Sequence, residues 1–150
     1  MVDPAVTAAY TVSLIGLVFG VGIGLALLRD GTVDNAVGQF RWLLIIPGFA
    51  AVSYLMMVLE VGVIQVGDNQ VYLFRYIDWL VTTPILVGYV GYVAGAPRKW
   101  IVGVAAADAL MIVTGTAATV MTGIATWVGF GVSAGFHLAL LAILYLVFPN

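Results

Sequence analysis

The chain has 150 residues, of which 63% are apolar and 8% charged, with a mean hydropathy of +1.16, whereas a soluble domain has about 25% charged residues. A soluble globular fold is therefore excluded. The net charge of -2 rests on twelve charged side chains and there are no cysteines, which removes disulfides, thiol catalysis and thiolate metal sites. No basic patch invites nucleic acid.

One crossing of the hydrocarbon layer takes about 20 mostly apolar residues, so a chain of this length can cross a bilayer roughly five times with short connections. Cutting at charged and turn-rich segments yields five apolar stretches. Helix A is expected from Val6 to Leu28, stopping at Arg29-Asp30-Gly31. Helix B follows from Phe40 to Gly62 with Pro47 inside it, and helix C from Val71 to Ala94 with Pro84 inside it. Helix D is expected from Trp100 to Met121 and helix E from Ala125 to Phe148. Only the turn Thr122-Gly123-Ile124 separates D from E, so they should be antiparallel neighbours. Between B and C, the run Val61 to Tyr72 alternates β-branched residues around Gly67-Asp68-Asn69, which predicts a small β-hairpin. The expected architecture is an all-α membrane protein of five transmembrane helices with that hairpin in the B–C loop.

Met1 to Tyr10 carries only Asp3 as a charged residue, so no removable signal peptide is expected. Arg29 and Arg41 lie in the A–B connection and Arg98 and Lys99 in the C–D connection, while the B–C and D–E connections hold no basic residue. Basic residues in short loops stay cytoplasmic. The amino terminus is thus expected outside, Asn150 inside, and helix C running inward. Gly16, Gly20 and Gly24 on helix A have a spacing that suits either a homo-oligomer interface or close packing within the protein.

Ionisable groups within membrane helices cost free energy and call for a partner or a purpose. Arg75 and Asp78 are three residues apart on helix C, hence on one face, and Thr82 follows one turn further in. An anion, a cation and a hydroxyl beside Tyr76 and Trp79 suit a positively charged ligand or a proton. The alternative is an ion pair that only fixes helix packing. A five-helix transporter component or assembly protein using the pair for ions would share these features. Glu60 falls near the outer end of helix B as an interface charge. His137, in helix E, has no second ligand at i+3 or i+4, so no metal site is expected. Nothing resembles a nucleophile triad or phosphate loop, and no enzyme is expected.

The run Arg75-Tyr76-Ile77-Asp78-Trp79-Leu80-Val81-Thr82-Thr83-Pro84 resembles the helix C signature of archaeal-type microbial rhodopsins. The segments Ile85 to Tyr92 and Ala107 to Ile112 are most similar to sensory rhodopsin I, and the resemblance runs from helix A to helix E. It implies a seven-helix fold, an all-trans retinal cofactor, and Asp78 as counterion and proton acceptor of the retinal Schiff base. Arg75, Thr82 and the helix B residue Tyr54 would complete the counterion network. Tyr76, Trp79, Thr83, Leu86, Met111 and Gly115 match positions lining the retinal pocket, and Asp108 matches an aspartate hydrogen-bonded to the threonine at Thr83.

Proton pumps of this family carry a carboxylate eleven residues after the counterion. Here that position is Tyr89. A phenol, with an ordinary pKa of about 10, is a poor proton donor at neutral pH, so the resemblance implies a slow photocycle and a phototaxis receptor acting through a membrane transducer, with a light-driven proton or ion pump as the alternative. The attachment lysine of the family belongs to its seventh helix, whereas the only lysine here is Lys99, in the C–D loop. The expectation is that residues 1–150 are the amino-terminal part of a longer chain, with helices F and G and the Schiff-base lysine missing.

Overall fold

The computed structural model describes residues 3–30, 43–67 and 69–148, with only the backbone of Asn69. These contain five helices: α1 (Pro4–Arg29), α2 (Ile45–Val58), α3 (Leu73–Val93), α4 (Arg98–Val120) and α5 (Ile124–Leu146), with strands β1 (Val63–Val66) and β2 (Asn69–Tyr72) between α2 and α3. By length and apolarity α1, α4 and α5 are each able to cross a membrane. The 21 residues of α3 rise by about 31 Å, enough to span the hydrocarbon layer although Arg75 and Asp78 make it more polar. Large side chains such as Phe19, Ile124 and Trp127 lie exposed, as suits a chain whose surroundings are hydrocarbon.

Helix ends follow local chemistry. Asp3 caps α1, its carboxylate accepting from Ala5 N at 2.9 Å, and Pro4 starts the helix where a missing N–H costs nothing. The helix therefore begins two residues before the expected Val6. Pro47 lies in the first turn of α2, not in a helix interior, for the same reason. The expected start of helix B at Phe40 lies outside the described residues. At its other end α2 stops at Val58 instead of Gly62, because Glu60 and Gly62 both take positive φ, 58° and 70°, and turn the chain into β1. The strands pair antiparallel in the register Val63↔Tyr72, Ile64↔Val71, Gln65↔Gln70 and Val66↔Asn69. The two-residue connection needs Gly67 at φ 59°, a conformation glycine adopts without steric cost. Val71 and Tyr72 belong to the strand, which is why α3 starts later than expected.

The chain divides into two compact units, Met1–Asp78 and Trp79–Asn150. In the first, Tyr10, Met57 and Tyr72 form a buried cluster with Val6, Tyr54, Val58, Val63 and Phe74 packed against it. The Tyr10 ring meets Tyr54 and Tyr72 edge-on, with centroids 5.7 and 5.1 Å apart. Near the other end of α1, a Cβ on Gly24 would collide with the Leu44 side chain, so this glycine lets the segment before α2 approach. Gly16 and Gly20 meet nothing within 4 Å.

In the second unit α4 and α5 pack antiparallel through the Gly123 turn (φ 63°). Ser133 Oγ donates to the Met111 carbonyl at 2.9 Å, and a Cβ on Gly129 would lie 2.8 Å from Ala118 Cβ. Val104, Leu140 and Phe148 form the buried core of this unit.

Candidate functional site

The polar groups buried in the spans concentrate on α3 and α4. Along α3, Asp78 (5% exposed) and Thr82 (6%) are buried four residues apart, so one helical face carries both. Arg75 stands nearly one turn before Asp78 and is exposed, Tyr76 is half-buried, and Trp79 and Leu86 are exposed. Tyr54 of α2 lies in the tyrosine cluster, edge-on to Tyr10.

Within the second unit, Thr83 and Asp108 come together across two helices. Asp108 is 3% exposed, and Thr83 Oγ1 donates to its Oδ2 at 2.5 Å while lying 2.7 Å from the Trp79 carbonyl. The α4 residues Met111 and Gly115 are half-buried, and the Cβ direction of Gly115 faces Ser133 Oγ at 3.0 Å. Gly115 thus admits α5 closely to α4. Tyr89 is half-buried, its ring 6.3 Å from that of Tyr92. Lys99 is exposed in the first turn of α4, its ammonium 5.8 Å from the Trp100 ring centre, and His137 and Glu60 are exposed. Among the described residues no group of three or more His, Cys, Asp or Glu could hold a metal ion.

Two features went unread in the sequence: the tyrosine cluster and the Ser133 hydrogen bond to α4. Tyr10, Tyr54 and Tyr72 are dispersed along the chain, and only the folding back of β2 unites them. Ser133 gives no signal apart from its position on a helix next to the short Gly123 turn.

Residues 5–150 match the family described as bacteriorhodopsin-like protein, and the chain belongs to that family. It is 50% identical, over 97% of its length, to sensory rhodopsin-1 of Halobacterium salinarum and 48% identical, over 97%, to a sensory rhodopsin of Halorubrum sodomense. It covers 61% and 58% of those proteins, so it spans about three fifths of the length of these curated relatives. Among solved structures, cyanorhodopsin from Calothrix sp. NIES-2098 superposes with a TM-score of 0.88 at 30% identity, over 98% of this chain and 65% of that one. The light-driven proton pump of Coccomyxa subellipsoidea gives 0.87 at 25% identity, over 99% and 68%. The chain is a multi-pass membrane protein.

The family implies a retinal chromophore, and the α3 residues suit one. Trp79 and Leu86 sit seven residues apart, two turns on one side of the helix, and stay 40% and 48% exposed, a strip of aromatic and aliphatic surface for a flat polyene. Asp78, on the same helix, is a buried carboxyl.

Proposed function

We propose that residues 1–150 are the helix A to E part of a sensory rhodopsin I-type photoreceptor that mediates phototaxis through a membrane-embedded transducer. Two further helices, F and G, belong to the whole protein and carry the lysine that attaches all-trans retinal. The amino terminus faces outward and residue 150 the cytoplasm, as the basic A–B and C–D connections favour.

Retinal, when bound, supplies light absorption and a protonated Schiff base. With retinal bound, Asp78 would hold the negative charge facing that cation and would accept its proton, a role suited to a buried carboxylate on a membrane helix. Arg75 balances the charge from the outer side, Thr82 donates a hydrogen bond, and Tyr54 completes the network. Tyr76, Trp79, Thr83, Leu86, Met111 and Gly115 orient the polyene. Asp108 ties α3 to α4 through Thr83.

The observation that carries the sensor reading is the pairing on one helix of a buried carboxylate at position 78 with a phenol, not a carboxylate, at position 89. Proton return from the inner side is then slow, and a slow return suits a state that must persist long enough to signal. A light-driven pump is the second reading, supported by the structural likeness to a proton pump. Illuminating vesicles that contain the full-length gene product with retinal, and recording external pH, separates the two. A slow photocycle without sustained proton movement is expected, and sustained export would overturn the sensor reading.

A further inference from the structure

Two carboxylates and a buried phenol gather at the end of the first unit where α1 begins and α2 turns into the hairpin, and the counterion network uses none of them. Asp3 caps α1 with Oδ1, 2.9 Å from Ala5 N. Its carbonyl accepts from Val6 N at 3.0 Å, and Val6 packs on the tyrosine cluster. Glu60 follows α2, its N–H donating at 3.1 Å to the carbonyl of Met57, a member of that cluster. Tyr72 enters the cluster from β2, opposite Val63. Asp3 and Glu60 are exposed at the rim, and Tyr72, 9% exposed, lies beneath. Each group is unfavourably placed on its own. Val61 N donates to the Met56 carbonyl at 2.9 Å, so Glu60, at φ 58°, holds the helix-closing position that glycine favours and sets an anion at the negative end of α2. The Tyr72 hydroxyl is buried with no hydrogen-bond partner among the described residues. Burial first, and then Tyr10, Glu60 and Asp3, hold its phenol above the ordinary tyrosine range, so both carboxylates bear on this hydroxyl. A positive charge among them offsets the two anions and the helix end, and gives the phenol oxygen a partner while it keeps its proton.

We propose that Asp3, Glu60 and the Tyr72 hydroxyl oxygen form a binding site for a hard divalent cation, calcium by preference, which ties the start of α1 to the hairpin. Carboxylate and hydroxyl oxygens suit calcium and magnesium, whereas softer metals take thiolate and imidazole. Calcium accepts an irregular set of oxygens completed by water, while magnesium demands a near-ideal octahedron. Two carboxylates, with no third acidic or imidazole group beside them among the described residues, place the affinity in the weak class, with a dissociation constant of about 0.1 to 1 mM. In the orientation proposed above the site faces outward, but its existence does not rest on the photoreceptor reading.

Terbium(III) takes the oxygen ligands of calcium and emits when excited through an adjacent phenol. In the full-length gene product in detergent, terbium emission excited through tyrosine should saturate and be displaced by calcium, and less well by magnesium. Glu60→Gln and Asp3→Asn should each weaken binding at least about tenfold, since affinity at such sites follows the charge of the ligands. Asparagine caps a helix as well as aspartate, so Asp3→Asn leaves the start of α1 intact. Tyr72→Phe should lower both the emission and the affinity. Thermal unfolding separates binding from folding. With a chelator present, Glu60→Gly, which suits the positive φ, should be at least as stable as the parent, whereas calcium should raise the unfolding temperature of the parent and not of this variant. Emission that never saturates, or that all three substitutions leave unchanged, would overturn the site, as would an equal calcium response in the parent and Glu60→Gly. A protein that binds terbium as described yet forms no pigment with retinal would count against the photoreceptor reading alone.

Discussion

Thr83 on α3 and Asp108 on α4 are joined by one short hydrogen bond, from a hydroxyl that also lies within reach of a backbone carbonyl of its own helix. Its hydroxyl oxygen lies 2.5 Å from Asp108 Oδ2 and 2.7 Å from the Trp79 carbonyl, and a hydroxyl has one proton to donate. Its one proton serves either contact or is shared between them, and a proton on Asp108, donated to Thr83, would let both be full hydrogen bonds. We therefore expect a carboxylic acid carbonyl band in the infrared spectrum that disappears in Asp108→Asn. Thr83→Val should cost about 0.6 to 1.7 kcal/mol of coupling in a double-mutant cycle with Asp108→Asn, the range found for hydrogen bonds between membrane helices, and Thr83→Ser should retain most of it.

Gly24 predicts a size-dependent defect in the first unit. Its Cβ position is filled by the end of the Leu44 side chain, so Gly24→Ala should destabilise by about 1 kcal/mol, the lower end of overpacking costs, because that flexible side chain can shift. Leu44→Ala in the same chain should relieve part of that loss. Gly16→Ala, where nothing lies within 4 Å, should be neutral or slightly stabilising, since glycine inside a helix costs roughly 0.5 to 1 kcal/mol relative to alanine. Thermal or denaturant unfolding of the three variants measures this.

Tyr72 gives a pH dependence with a definite sign. The residue lies in the hairpin, outside the spans, and its hydroxyl is buried with no hydrogen-bond partner among the described residues. Burial pushes its phenol above the ordinary tyrosine range, and Tyr10, Glu60 and Asp3 add to the effect. A folded-state value above the unfolded one means that the folded protein keeps the proton longer. The contribution is thus full below the unfolded value of about 10 and is lost as pH rises through the higher folded value. Tyr72→Phe should remove that alkaline loss. At neutral pH it should leave stability equal or raise it by about 1 to 3 kcal/mol, the cost of an unmade buried hydrogen bond.

The helices and the hairpin were legible because each has a local cause: apolar runs of spanning length, and Gly67-Asp68 between alternating β-branched residues. Helix ends were less so. The start of α1 was encoded in Asp3-Pro4 and went unweighted, while the early end of α2 depends on Glu60 at positive φ, a conformation that no residue preference predicts. For the candidate site, spacing alone placed Arg75, Asp78 and Thr82 on one face. That Thr83 meets Asp108 is a tertiary fact, and here it was the family resemblance, not the pattern, that pointed to it. The packing of Phe148 against Gly91 had no legible signal, since glycine 91 is one of 18 glycines and the contact exists only once α5 folds back.

Tyr89 offers the sharpest separation of sensor from pump. Tyr89→Asp in the full-length protein with retinal places a carboxylate where pumps of the family carry one, and should speed proton return by about a hundredfold, the lower end of general-acid contributions. Flash photolysis reads the rate. An unchanged rate would mean that position 89 does not limit the return.

The central claim is that Asp78 is the charge opposite a retinal cation. Absorption spectra of the full-length gene product with retinal, taken across an acid to alkaline titration for the parent and for Asp78→Asn, test it most directly. A visible pigment is expected whose maximum moves to longer wavelength on acidification, and an Asp78→Asn pigment fixed at the longer wavelength, because an anion beside the cation stabilises the ground state more than the excited state. A parent and variant with the same spectrum at every pH would contradict the assignment of Asp78.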